Sequence, residues 1–338
     1  MTPVLVTGGA GYVGSHASMR LAAAGYLPIA YDDLSNGHAA FAQWGPLEVG
    51  DIRDGDRLAY VLRRYRPRAV LHFAGLIEVG DSMKRPELYR DVNVAGSLTL
   101  IDRARRAGVQ NLVFSSSCAT YGAPEFLPMT EDHPQRPVSP YGDTKLAIEE
   151  ALGEIDQDSG FRSIVLRYFN AAGADPEGRV GEAHSPETHA LPLAILAALG
   201  ERPGFTVFGD DYETRDGTAL RDYVHVLDLA DAHVLALRRL LDGGAGDVFN
   251  LGNGVGVTVK EMLAAVRAVN GRDFAIETAG RRPGDAPALV ADSRKALTGL
   301  GWRPRHGFQS IVETAWRWHS KGHSAARTTF EPEVKLQG

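Results

Sequence analysis

Val4-Leu5-Val6-Thr7-Gly8-Gly9-Ala10-Gly11-Tyr12-Val13-Gly14 decides how this chain is read. Val4–Thr7 is a short β-rich apolar run, and Ser15–Ala24 carries a helical pattern. Between them Gly8, Gly11 and Gly14 are spaced G-x-x-G-x-x-G around Tyr12 and Val13. Glycines let the backbone turn tightly and approach a pyrophosphate, which then rests on the helix N-terminus. A glycine-rich turn alone is a weak signal. A strand before it and a helix after it point to a dinucleotide.

Outward from this turn the next strand, Leu27–Tyr31, runs into Asp32 and Asp33. A carboxylate about 20 residues past the glycines can accept hydrogen bonds from adenosine ribose hydroxyls and would repel a 2′-phosphate. No arginine stands there to receive one, so NAD is favoured over NADP. Asp51 and Ile52, after Gly50, are placed to meet the adenine. Further along, strands at Ala69–Phe73, Asn111–Ser115 and Ser163–Tyr168 alternate with helices at Leu58–Tyr65, Asp91–Ala107 and Tyr141–Ile155. This alternation predicts an α/β fold, a parallel sheet with helices on both faces.

After Asn170 the chain changes character. Gly, Pro, Asp, Glu and His dominate Gly173–His189 and Gly209–Gly217, as in binding loops or lids. Leu191–Leu199 reads as a buried helix, too short to span a bilayer. Regular structure returns with Tyr223–Val226, Asp228–Leu241 and Val248–Leu251. Residues 1–170 are therefore expected to form a dinucleotide-binding domain. Residues 171–320 are expected to form a smaller, partly interleaved substrate lobe, and 321–338 a mobile tail.

The whole chain has 338 residues, 44% hydrophobic and 23% charged, with a net charge of −6. That is ordinary for a soluble globular protein, and no basic run suggests nucleic acid. The one cysteine, Cys118, leaves no intramolecular disulfide, which suits a reducing cytosol. The opening residues lack the pattern of a signal peptide. A cytoplasmic protein with no membrane and no metal is expected.

Tyr141 and Lys145 lie four apart on a helix that Ser139-Pro140 starts. An ammonium beside a phenol favours the phenolate, drawing it toward the range of a general base. The Y-x-x-x-K pattern alone is common. Its weight comes from Ser115-Ser116-Ser117 at the end of a strand, because ligands of open parallel sheets bind beyond the strands' carboxyl ends.

With these segments in view, the sequence resembles the extended short-chain dehydrogenase/reductases of Rossmann-type, doubly wound fold, and within them the nucleotide-sugar epimerases. The matches run in order through Val6–His16, Tyr31–Gly37 (with Asn36), His72-Phe73-Ala74-Gly75, Phe114–Gly122, Ser139–Gly142 and Leu166–Asn170. They continue through Phe208–Tyr212, Leu220–Val226, Asn250-Leu251-Gly252 and Arg281–Asp285.

The resemblance implies reversible 4-epimerisation of UDP-glucose and UDP-galactose through a transient 4-keto sugar with bound NAD. It implies Tyr141 as base, Lys145 as its electrostatic support and Ser117 as assistant at the sugar hydroxyl. It also implies nicotinamide contacts from Asn93 and Tyr168, and cofactor contacts from Phe73 and Ala74. Arg221 and Arg282 would take the diphosphate, and Asn170, Phe208 and Asp285 further parts of the substrate. It implies a homodimer through Asp91–Ala107 and Tyr141–Ile155. Related dehydratases carry an acid after the serine, where this chain has Cys118 and Ala119. Ile77 replaces a lysine seen near the cofactor phosphates. Leu289 replaces a tyrosine that closes the sugar pocket, which opens N-acetylhexosamines or UDP-pentoses as alternative substrates. A non-catalytic nucleotide sensor is the distant alternative, and it normally lacks the tyrosine or lysine present here.

Overall fold

The computed structural model describes residues 1–282 and 285–322, with backbone only for 156–159. The expected tail lies, from residue 323 on, outside the described residues, as do Pro283 and Gly284. In chain order the first half runs β1 (Thr2–Thr7), α1 (Tyr12–Ala23), β2 (Tyr26–Asp32), β3 (Leu47–Val49), α2 (Gly55–Tyr65) and β4 (Ala69–His72). Two short helices, α3 (Val79–Ser82) and α4 (Pro86–Tyr89), lead into α5 (Gly96–Arg106), β5 (Asn111–Ser117), α6 (Pro140–Ser159), β6 (Arg162–Tyr168) and β7 (Asn170–Ala172). The second half contains α7 (Ala190–Ala198), β8 (Phe205–Phe208), β9 (Leu220–His225), α8 (Val226–Leu241), β10 (Asp247–Leu251) and β11 (Gly256–Thr258). It ends with α9 (Val259–Asn270), β12 (Ile276–Ala279), β13 (Ala288–Leu289), α10 (Arg294–Leu300) and α11 (Phe308–Ser320).

Seven parallel strands form the main sheet in the order β10-β6-β5-β4-β1-β2-β3. Strand order reverses at β1, so the turn after β1 opens at the crevice where such sheets bind ligands. Both faces of the sheet are covered. Ala17 and Leu21 of α1 pack with Leu229, Leu237 and Leu240 of α8 on one side. Leu58, Val61 and Leu62 of α2 pack with Leu100 and Ile101 of α5 and Ile148 and Leu152 of α6 on the other. This is the doubly wound α/β fold. A third apolar cluster joins α7, α9 and α11 over β8 and β9, the core of the second lobe. The chain after residue 170 contributes to both lobes, because β10 adds to the main sheet beside β6 and α8 packs beneath it.

Local chemistry sets the element ends. Ser139 accepts from the Gly142 N–H at the start of α6, with Pro140 in its first turn. Thr258 and Glu261 form a capping box at α9. The helix expected over Asp91–Ala107 is not uniform: Arg90–Ala95 form a π turn before α5 begins. Within it the Asn93 side chain turns back to bond Leu76, and π turns of this kind recur at functional sites.

Candidate active site

One cleft of about 940 Å³ runs across the carboxyl ends of the main sheet and under the second lobe. Its first wall is the turn after β1. Gly8 has φ +71°, and a Cβ on Gly14 would stand 2.1 Å from the Gly8 carbonyl oxygen, so helix and turn approach closer than any side chain allows. Tyr12 Oη donates to the Gly173 carbonyl at 2.6 Å, tying this turn to the second lobe.

Asp32 is buried at the end of β2 and accepts from the Ala10 N–H at 3.0 Å and the Leu34 N–H at 2.9 Å. Burial raises its pKa, and the two backbone donors work against that. Each carboxylate oxygen keeps a further lone pair. This buried, anchored anion fits a ribose diol and opposes a 2′-phosphate, so the site fits NAD. Asp33 is exposed and holds the Ser35 N–H and hydroxyl. Asn36, Ile52, Phe73 and Ala74 line the same wall. Asp51 lines it too but is engaged by the Arg53 guanidinium, which lowers its pKa.

Asn93 does not line the cleft. It is buried, accepts from the Leu76 N–H at 2.8 Å, and donates to the Leu76 carbonyl at 3.0 Å and the Thr144 hydroxyl at 3.1 Å. A buried relay stands behind it. Thr7 Oγ1 and His72 Nδ1 are 2.7 Å apart, His72 Nε2 meets Ser97 Oγ at 2.7 Å, and Ser97 bonds the Asn93 carbonyl.

At the centre the three serines of β5 divide. Ser115 Oγ bonds His233 Nε2 at 2.7 Å, and Ser116 bonds Glu149, which is locked to Arg167. Both are buried. Ser117 alone of the run faces the cleft, with Tyr141 and Tyr168 beside it. Ser117 lies close to the Tyr141 phenol and draws its pKa down, and its Oγ accepts from the Ala119 N–H at 3.1 Å.

Lys145 lies behind Tyr141, not in the cleft, with its Nζ 5.9 Å from the phenol ring centre. It donates to the Ser115 carbonyl at 2.8 Å. Here the structure departs from the expected pull of Lys145 on Tyr141. Burial dominates and pushes the Tyr141 phenol up, Ser117 opposes it, and Lys145 is not among the principal influences. Burial lowers Lys145 itself to about 8, partly offset by Glu149.

The second wall carries long side chains. Arg221 on β9 donates to the Leu220 carbonyl at 3.0 Å and the Ala286 carbonyl at 2.8 Å, and faces Asp285 at 3.7 Å. Arg282 faces Asp285 at 3.3 Å and lies 4.4 Å over the Phe208 ring. Arg221, Asp285, Asn170 and Leu289 line the cleft; Arg282 and Phe208 stand just outside it. Leu289 pairs with Arg221 across β13 and β9.

Sequence reading passed over Glu182, His184, Glu187 and His189, treating them as irregular loop. Their ligand atoms lie within 4.8 Å of one another. The spacing E-x-H-x-x-E-x-H was the available signal.

Residues 4–252 match the family described as NAD dependent epimerase/dehydratase. The chain is 58% identical over 318 residues to a UDP-glucose 4-epimerase of Rhizobium meliloti, covering 94% of this chain and 97% of the relative. Among solved structures, the UDP-glucose 4-epimerase of Brucella ovis in complex with NAD superposes with a TM-score of 0.92 at 45% identity, covering 94% of this chain and 98% of that one. The Bifidobacterium longum enzyme in complex with NAD+ and UDP also gives 0.92, at 35% identity, covering 96% and 100%. The turn after β1, the buried Asp32 and the Ser117–Tyr141 pair thus sit in a scaffold shared along nearly its whole length, and the chain belongs to the NAD dependent epimerase/dehydratase family.

Proposed function

We propose that this protein interconverts UDP-glucose and UDP-galactose by oxidising and re-reducing sugar C4. The observation that carries the reading is the pair of hydroxyls at the cleft floor, Ser117 beside Tyr141, at the carboxyl end of the sheet. As the phenolate, Tyr141 takes the proton of the sugar 4-hydroxyl, and Ser117 stands beside it to relay that proton. When bound, NAD supplies the hydride acceptor and a positive charge near the phenol. Lys145 is fixed by the Ser115 carbonyl and supports that charge state from behind. The 4-keto sugar turns over and is reduced on its other face, with Tyr141 returning the proton. No water leaves the sugar, so no carboxylic acid is needed after Ser117. Burial pushes the Cys118 thiol up to about 12, which disqualifies it as a substitute acid for elimination.

Residues 1–170 hold the dinucleotide, with Gly8, Gly11, Tyr12, Val13 and Gly14 at the pyrophosphate, Asp32 at the ribose and Tyr168 at the nicotinamide side. Residues 171–320 hold the nucleotide sugar, with Arg221 and Arg282 on its diphosphate and Asn170, Phe208 and Asp285 around it. Holding UDP while the sugar pivots suits the chemistry. Leu289 on the cleft wall leaves room beside the sugar and favours N-acetylhexosamines as additional substrates. Homodimerisation through the faces of α5 and α6 is supported by exposed Leu98 on α5 and exposed Met83 just past the end of α3. A cytoplasmic setting is supported by Cys118, a single buried free thiol. No helix among the described residues is long and apolar enough to cross a membrane.

The test is incubation with UDP-galactose and no added NAD, followed by separation of the nucleotide sugars. UDP-glucose formed over many turnovers is expected. No product, even with NAD supplied, overturns the reading.

A further inference from the structure

We propose that Glu182, His184, Glu187 and His189 form a binding site for one divalent transition-metal ion of the zinc or cobalt class, beside the glycine turn. This goes beyond the proposed reaction, which uses none of the four.

The geometry is that of a compact donor set. His184 Nδ1 lies 3.2 Å from Glu182 Oε1 and 3.9 Å from Glu187 Oε1. His189 Nδ1 hydrogen-bonds Glu182 Oε1 and lies 3.9 Å from Glu187 Oε1. All four ligand atoms fall within 4.8 Å of one another. A tetrahedral zinc ion with bonds of about 2.0–2.2 Å separates its ligands by roughly 3.3–3.6 Å. The cluster needs only small side-chain adjustments to reach that.

The chemistry of the donors selects the ion. Two imidazole nitrogens with two carboxylates suit zinc, cobalt or nickel; calcium and magnesium prefer all-oxygen cages. The charges also close, since two carboxylates neutralise a divalent cation while both imidazoles stay neutral. The Glu182 side chain is 4% exposed and, among the described residues, is paired only with His184 and His189, so a divalent ion would take over the compensation that their Nδ1 protons provide. The His184 Nδ1 is buried and makes no aligned hydrogen bond; an ion would take the place of the proton that pairs it with Glu182 at 3.2 Å.

The surroundings hold these ligands in place. Glu187 Oε1 accepts from the Thr188 N–H at 2.8 Å and the His189 N–H at 2.9 Å, which orients the carboxylate. Trp318 Nε1 donates to the Glu182 carbonyl at 2.8 Å, and His38 Nε2 bonds the Ala183 carbonyl at 2.8 Å. His189 caps α7, and the His184 ring lies 6.3 Å from the Tyr12 ring. An ion here would staple the segment that walls the cleft next to Tyr12 without touching the reacting atoms.

The experiment uses the untagged full chain with its NAD, stripped of metal by chelation and titrated with Co²⁺ and then Zn²⁺. One equivalent of Co²⁺ should give the intense visible bands of a tetrahedral site, which Zn²⁺ then abolishes, and either ion should raise the melting temperature. His184→Asn and, separately, His189→Asn should weaken Co²⁺ binding at least tenfold. A wild-type chain that shows no tetrahedral Co²⁺ spectrum overturns the proposal whether or not the variants fold. So does Co²⁺ binding that both variants retain at full strength.

Discussion

On the first lobe's side the cleft is walled by backbone and by buried polar groups already bonded to the fold. On the second lobe's side it is walled by Arg221, with Arg282 just outside, and the two arginines share the Asp285 carboxylate. Gly8, Gly14 and Asp32 have no freedom to move, because a Cβ would collide at Gly14 and two N–H donors clamp the Asp32 carboxylate. Arg221 and Arg282 instead share Asp285, and the Arg282 side chain is 59% exposed against 16% for Arg221. A rigid wall holds a cofactor through many cycles. Side chains that share one carboxylate suit a ligand that leaves in each cycle. The difference is what the proposed reaction asks for, with NAD retained by one lobe and the nucleotide sugar exchanged at the other.

The largest effect should separate chemistry from both walls. Tyr141→Phe removes the proton carrier and leaves the rest of the cleft in place. Turnover should fall on the order of 10³-fold, while the NAD carried through purification and the KM for UDP-galactose change little. Loss of NAD together with activity would place Tyr141 in the retaining wall and blur the comparison. Gly14→Ala attacks that wall directly. Overpacking of this kind costs about 1–3 kcal/mol, and the purified variant should carry less NAD and melt lower. A variant with full NAD content would show that the turn yields.

Acid should loosen the first lobe ahead of any change in its arginine partners. His72 and His233 are fully buried, and burial lowers them to about 3 and about 4. An unfolded histidine titrates near 6.5. Between those values the unfolded chain binds more protons, so stability falls as pH drops below about 6.5 and continues to fall toward about 4. Each histidine contributes roughly 1.4 kcal/mol per pH unit in that window. Thermal melts from pH 7 to 5 should show the loss, and His233→Gln should flatten the slope. A melting temperature constant over that range would contradict the burial of neutral imidazoles.

How much of this was legible beforehand follows the same division. The glycine turn, Asp32, Ser117 and the Tyr141–Lys145 spacing are local patterns, each set within one strand–turn–helix unit, and all but Lys145 reach the cleft. Lys145's partner was not legible, because the Ser115 carbonyl reaches it through tertiary packing across 30 residues. Nor was the role of Asn93, since helical periodicity cannot report a π turn. The addition of β10 to the main sheet is set by register against β6 more than 80 residues earlier in the chain, which no local propensity encodes. Glu182, His184, Glu187 and His189 were within reach, because all four fall in one eight-residue segment.

On the exchanging wall, Arg221→Lys should sharpen the contrast. Lysine keeps the charge but loses the two-pronged geometry that suits a diphosphate. The KM for UDP-galactose should rise about tenfold or more, in line with 1.5–3 kcal/mol for a charge-assisted bond, at roughly 1.4 kcal/mol per tenfold. NAD content should be unchanged. Arg282→Lys should cost less, because its greater exposure leaves it screened by solvent.

The smallest effect concerns which sugar is accepted. Leu289 sits on β13 opposite Arg221 and lines the cleft. Leu289→Tyr adds a ring at a position fixed by strand pairing, so it narrows the space beside the sugar without disturbing either nucleotide contact. The cleft is wide, so the lower end applies, about 1 kcal/mol, of what pockets use to distinguish small groups. The kcat/KM ratio of UDP-N-acetylgalactosamine to UDP-galactose should therefore fall several-fold to about tenfold, mostly through the larger sugar. An unchanged ratio would mean that the N-acetyl group does not reach Leu289, and that this wall discriminates nucleotides and leaves the choice of sugar to the floor around Ser117.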